Sequence, residues 1–86
     1  MINKQSVFTV KDIVNRNKPI LHIVHDNDGE WQFLTGENVL MENILIVTIE
    51  QIITIDSSVT SVLNMVRGSE ATRIKKESEW RIFHNG

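Results

Sequence analysis

The chain has 86 residues, which allows one domain and a single hydrophobic core. Its 41% hydrophobic and 23% charged residues, with four glycines and one proline, are ordinary for a folded protein and exclude disorder along the whole chain. The absence of cysteine excludes a disulfide framework and a thiolate zinc site, and it points to a cytoplasmic setting.

The N-terminal residues Met1, Ile2, Asn3, Lys4, Gln5 and Ser6 carry no apolar signal-type segment. The longest apolar run, Ile44 to Val47, is far short of the roughly 20 residues a bilayer span needs, so no membrane role is expected. The net charge of −2 hides an uneven distribution. Asp26, Asp28, Glu30, Glu37, Glu42, Glu50 and Asp56 lie in a stretch, residues 19–66, without one Lys or Arg. The basic residues stand on either side of it.

In chain order, Thr9 followed three residues later by Asp12 resembles a capping box. Val10, Ile13 and Val14 then share a face, which predicts a short helix over 9–17 ended by Asn17 and Pro19. Residues 20–25 form a β-branched run, and Asp26, Asn27, Asp28 and Gly29 supply a turn. In the returning segment 30–35, Trp31, Phe33 and Thr35 alternate with Gln32 and Leu34, so a hairpin is predicted.

Residues 37–43 read as a loop or a turn of helix. Residues 44–48 form a fully apolar strand expected at the centre of the sheet, and Thr48 to Ile53 either continue it or, the favoured reading, form a helical turn capped by Thr48. Asp56 is a good N-cap for a helix over 57–65 that buries Val59, Val62 and Leu63. Gly68 stands where a left-handed residue ends it, and residues 70–74 and 80–83 form a second hairpin.

This order predicts a single α+β domain over 1–86, with flexible ends at about 1–6 and 84–86. About five short, mainly antiparallel strands would carry two short helices on one face. An unpaired edge of so small a sheet could support a homodimer by strand pairing.

Candidate chemistry is sparse. His22 and His25 are three apart on a strand, so they point to opposite faces and do not converge on one metal ion. Asp26, Asp28 and Glu37 have calcium-loop spacing, but Trp31 stands where such a loop needs glycine. Ser57 and Ser58 lack a nucleophile-elbow context, and no phosphate-binding glycine loop is present. No catalytic, cofactor or metal residues are therefore assigned.

Arg67, Arg73, Lys75, Lys76 and Arg81 near Trp80 suggest a nucleic-acid surface, but three glutamates among them favour a solvated hairpin. The acidic middle suggests an electronegative surface. In the predicted hairpin Asp26, Asp28, Glu30 and Glu37 cluster at one end; Trp31 and Trp80 read first as core residues, the alternative being that Trp31 is an anchor for a partner with a basic surface.

The segment Asp28 to Leu34 with Gly36 carries Trp31 and Phe33; further on come Asp56, Ser57, Ser58 and Val59, then Gly68, Ala71 and Arg73, then Trp80. This pattern resembles a small bacterial α+β family of unassigned activity, related to immunity-protein-like domains of polymorphic toxin systems. Ser57 departs from a proline common in that family. The resemblance implies no catalytic residues. The expected function is a non-enzymatic protein-binding module of immunity type, with no cofactor. The alternatives are a small enzyme or metal-dependent hydrolase using His22 or His25, and a nucleic-acid accessory protein.

Overall fold

A computed structural model describes residues 5–84 and shows an α+β domain built on one mixed, six-stranded sheet. The strands are β1 (Ser6–Val10), β2 (His22–His25), β3 (Trp31–Leu34), β4 (Ile44–Thr48), β5 (Ser69–Thr72) and β6 (Arg81–His84). The helices are α1 (Lys11–Arg16) and α2 (Ile49–Ile55), with 3-10 segments at Met41–Asn43 and Ser57–Val62. Across the sheet the order is β4-β1-β3-β2-β5-β6.

Both predicted hairpins are present: β2 pairs with β3 and β5 with β6, each antiparallel. The turn after β4 is also as expected. Thr48 Oγ1 accepts from Gln51 N (3.2 Å), and the Gln51 side chain accepts from Thr48 N (2.9 Å), a complete capping box for α2. Asp56 caps the next segment by accepting from Ser58 N (3.0 Å), although Ser57–Val62 winds as a 3-10 helix shorter than the predicted 57–65.

Three expectations change. Residues 6–10 form a sixth strand, β1, where a helix beginning at Thr9 was expected, and the helix α1 starts only at Lys11. Residues 6–10 alternate Val7 and Thr9 inward with Ser6 and Phe8 outward, and the Thr9 hydroxyl donates across the sheet to Phe33 C=O (2.8 Å) instead of capping α1. The tertiary hydrogen bond prevails over the local one because Thr9 is fully buried and its hydroxyl must be satisfied there.

β1 also makes the sheet mixed, since it runs parallel to β3 and antiparallel to β4. Finally, β4 lies at the edge of the sheet and not at its centre. Of the expected flexible ends, residues 1–4 and 85–86 lie outside the described residues. Ser6 pairs with Thr48 and His84 with Ser69.

The core occupies one face. Val7, Trp31, Phe33, Ile23 and Ala71 from the sheet meet Ile13 of α1, Ile49 and Ile52 of α2, and Val59 and Val62 of the 3-10 segment in one cluster. Every helical segment that buries apolar side chains therefore lies against the same side of the sheet. The registers place Phe8, Gln32, Val24, Glu70 and Phe83 on the opposite side.

Gly68 shows how tightly the turn region is built. Its φ is +83°, its N–H donates to His25 C=O (2.7 Å), and an added Cβ would lie 2.7 Å from Asn27 Oδ1. Gly36 has a similar φ of +89° with open space around it. Gly36→Ala should cost about 1 kcal/mol from the backbone alone, and Gly68→Ala roughly 2–3 kcal/mol because the clash adds to the strain. Urea unfolding of both variants measures the difference; equal costs would mean that the Asn27 contact relaxes freely.

Candidate interaction surface

The acidic residues singled out from the sequence do not form one patch. Asp26 Oδ1 accepts from Asp28 N (2.9 Å) and Glu30 N (3.0 Å), so this carboxylate is used to shape the turn between β2 and β3. The Arg67 guanidinium lies over Gly29 at the middle of that turn. Glu37 lies beyond the far end of β3 and pairs with Lys18 (3.0 Å). That hydrogen bond and charge hold the Glu37 carboxyl below its usual range and the Lys18 amine above its own. Trp31 is no exposed anchor: it is buried, stacked between His25 (3.9 Å between ring centroids) and Phe33 (6.1 Å).

The base-free stretch therefore meets bases that come from outside it. Lys18 reaches Glu37, Arg67 covers the turn, and Arg73 pairs with Asp56. Two of the seven acids, Glu37 and Asp56, are thus paired with bases from outside the stretch, while Asp28, Glu30, Glu42 and Glu50 stay exposed at separate places in the fold.

The residues that carried the family resemblance separate into packing and polar roles. Phe33 lies at the centre of the core, and Gly36 and Gly68 occupy positive-φ positions. Asp56, Arg73 and Trp80 converge. The buried Arg73 donates through Nε to Ile20 C=O (3.0 Å), through Nη1 to Ser58 Oγ (3.0 Å) and through Nη2 to Asp56 Oδ2. The Trp80 ring stacks over the guanidinium (4.1 Å) while its Nε1 donates to Ser58 Oγ (3.2 Å). Ser58 thus faces two donors, whereas activating a serine needs a partner that accepts its proton. The cluster, with Arg73 and Asp56 buried beneath a partly exposed Trp80 and an exposed Ser58, is a structural tie between the helical layer and the sheet.

The histidines are separated as their spacing predicts. His22 Nε2 bonds Glu70 Oε1 (2.5 Å) on the open face. His25 lies on the core side, where its Nδ1 donates to Met65 C=O (2.9 Å). Among the described residues no three His, Asp or Glu side chains are grouped so as to hold a metal ion, and no buried side-chain polar atom lacks a partner. Of the five bases near Trp80, Arg73 is buried and Arg67 lies on the β2–β3 turn, so a continuous basic stripe is absent there.

What the structure does assemble is apolar. On the open side of the sheet, Phe8, Gln32, Leu34, Ile44 and Ile46 line a groove of about 480 Å³ whose far wall is Val39 and Met41. Met41 is 85% exposed and Ile46 67%, with Leu40 and Val39 exposed beside them. Three consecutive exposed apolar residues next to an open apolar sheet face form a contiguous apolar patch, unlike apolar residues scattered singly over a surface. Sequence reading passed over residues 39–41 because they have no helical or strand period. The usable signal was an apolar triplet inside a segment otherwise read as loop. No helix among the described residues is long and apolar enough to cross a membrane.

The buried pair sets a pH dependence. Burial pushes the Asp56 carboxyl up, but hydrogen bonds from Ser58 and Arg73 outweigh it and hold the group below its ordinary value of 3.8. A lowered folded-state pKa stabilises fully above the unfolded value, and the gain is lost as pH falls through the folded value. The urea midpoint should hold steady above about pH 5 and fall toward pH 3, and Asp56→Asn should flatten part of that fall. Arg73→Met, which strands a buried carboxylate, should cost about 3–5 kcal/mol at neutral pH. A cost under 1 kcal/mol would show that solvent replaces the guanidinium.

Comparison of the chain with protein-family models, with curated proteins and with solved structures finds no match at all, so a functional reading rests on this geometry.

Proposed function

We propose that the chain is a non-enzymatic protein-binding module that docks a partner on the apolar half of its open sheet face. The observation that carries this reading is Ile46. It is 67% exposed on a strand whose two faces are both apolar, and it stands beside the still more exposed Met41. Burying such side chains is the main source of favourable free energy in association. An immunity-type inhibitor, which acts by covering its target, would be one kind of such a module.

A basic partner surface is the electrostatic form of the same reading. It is favoured by Asp28 and Glu30, whose side chains are exposed at the β2–β3 turn. The two forms separate by salt. Capture of partners from native cells on the immobilised chain should survive high salt and be lost with Ile46→Glu or Met41→Glu, while Asp28→Lys and Glu30→Lys leave it intact. Capture that vanishes in salt and with the turn variants, but not with the face variants, would transfer the function to the turn.

A further inference from the structure

We infer that the chain forms a two-fold dimer in which β6 pairs antiparallel with β6 of a second copy and joins two six-stranded sheets into one. The surface involved is the sheet edge farthest from β4, away from the proposed docking face.

The two edges of the sheet differ. At β4, Ile49 N donates to Gln5 C=O (2.9 Å) in continuation of the ladder with β1, so the main-chain groups of Ile44, Ile46 and Thr48 turn outward. Two of those three donors are engaged, Ile44 N–H by Met41 C=O and Thr48 N–H by the Gln51 side chain. The 3-10 turn and the capping box thus blunt that edge at both ends. At the other edge, Arg73 N donates to Leu21 C=O (3.1 Å), one step beyond the last pair of β2 with β5. Alternation then turns Glu70 and Thr72 toward β6, where their partners are Phe83 and Arg81, and it leaves Ile82 and His84 facing outward. No main-chain hydrogen bond among the described residues engages these outward groups. β6 pairs with β5 without a bulge, contains no proline and carries one charge, Arg81, so its edge is open.

Closure selects the second copy. A single foreign strand added to β6 would present a fresh open edge of its own. Two copies paired through β6 leave only their β4 edges outermost, and both of those are blunted. The exposure of β6 fits such a neighbour. All its residues are exposed, whereas Ser69 and Ala71 on the adjoining β5 are buried. Ile82 is 51% exposed on the core side and Phe83 44% on the open side, so a strand added here covers apolar surface on both faces at once.

The outward groups also set the register. With the two-fold axis at Phe83, Ile82 of one copy and His84 of the other exchange main-chain bonds, so each outward N–H and C=O of β6 has a partner. Phe83 then meets its own copy in a closely spaced pair, where aromatic side chains attract. The two Arg81 residues fall roughly 14 Å apart along the paired strands. That exceeds the screening length of about 8–10 Å, so the one charge of the strand does not oppose its copy.

Sedimentation velocity and light scattering on the full chain test this, over concentrations from about 1 μM to 1 mM. A concentration-dependent dimer is expected, unchanged by Ile46→Glu and weakened at least roughly ten-fold by Ile82→Pro. Proline at position 82 removes only an outward N–H and leaves the bonds to β5 in place, a change that edge strands tolerate. Because the chain has no cysteine, mild oxidation of the Phe83→Cys variant should also link two copies at the axis, and that of Arg81→Cys should not. The near-ultraviolet circular dichroism of the buried Trp31 verifies that each variant is folded. If Ile82→Pro does not fold, the two cysteine variants decide. A monomer over the whole range, a dimer indifferent to Ile82→Pro, or Arg81→Cys linking as readily as Phe83→Cys overturns the inference. So does a dimer lost in Ile46→Glu, which would lie on the open face.

Discussion

Arg73 is the residue on which the two layers of this domain depend. It directly follows β5, and its side chain is almost wholly buried with a fixed fork of donors. One donor ties it to Ile20 C=O at the entry to β2, a second to Ser58, and a third to the Asp56 carboxylate. Asp56 in turn accepts from Ser58 N and so starts the 3-10 segment that places Val59 and Val62 in the core. A buried ion pair is weak ground for net stability, since desolvation opposes the attraction. Its geometry is nonetheless demanding. Arg73 Nε, Nη1 and Nη2 each donate to a different acceptor, and shifting the helical layer along the sheet would leave a charge buried without one. The pair therefore acts on register: it fixes where residues 56–62 sit over the sheet.

The same logic accounts for the distribution of charge. Seven acids without a base looked like a surface for a basic partner when read along the chain. In the fold, β5 follows the acidic stretch in sequence but pairs beside β2 within it, which brings Arg67 over the turn and Arg73 to Asp56. Lys18 arrives from the other side at Glu37. Linear segregation of charge was partly undone because the sheet order interleaves early, middle and late strands, which pairs Glu37 and Asp56 with bases and leaves the other acids dispersed.

Much of the fold could be read from residues alone, and the misses have physical causes. The β2–β3 turn, the Thr48 capping box, the Asp56 cap and the role of Gly68 are local rules, satisfied within a few residues. β1 failed because Thr9 and Asp12 satisfy a local rule too, and only the distant Phe33 C=O decides which hydrogen bond forms. The clustering of Asp26, Asp28, Glu30 and Glu37 failed on simple geometry. A hairpin strand carries its two ends apart, and Glu37 belongs to the end away from the turn. The groove escaped notice because its far wall is an aperiodic triplet, Val39 to Met41, which no pattern of 2 or 3.6 residues reveals.

The placement of β4 joins these points. A strand apolar on both faces was expected at the centre because both its faces need cover. It lies at the edge, with one face on the core and Ile46 turned to the open side. Its edge is blunted by bonds that its own neighbours make, as expected of a strand protected against open-ended pairing. Its open face has no such protection: there is no inward-pointing charge, and the adjoining segment adds apolar surface instead of hiding it. Protection of the edge together with exposure of the face fits the proposed docking through side chains better than docking along the backbone. The sequence pattern correctly marks β4 as apolar on both faces, but the fold covers only one of them, because a strand at the edge beside a short loop has no second layer over its open side.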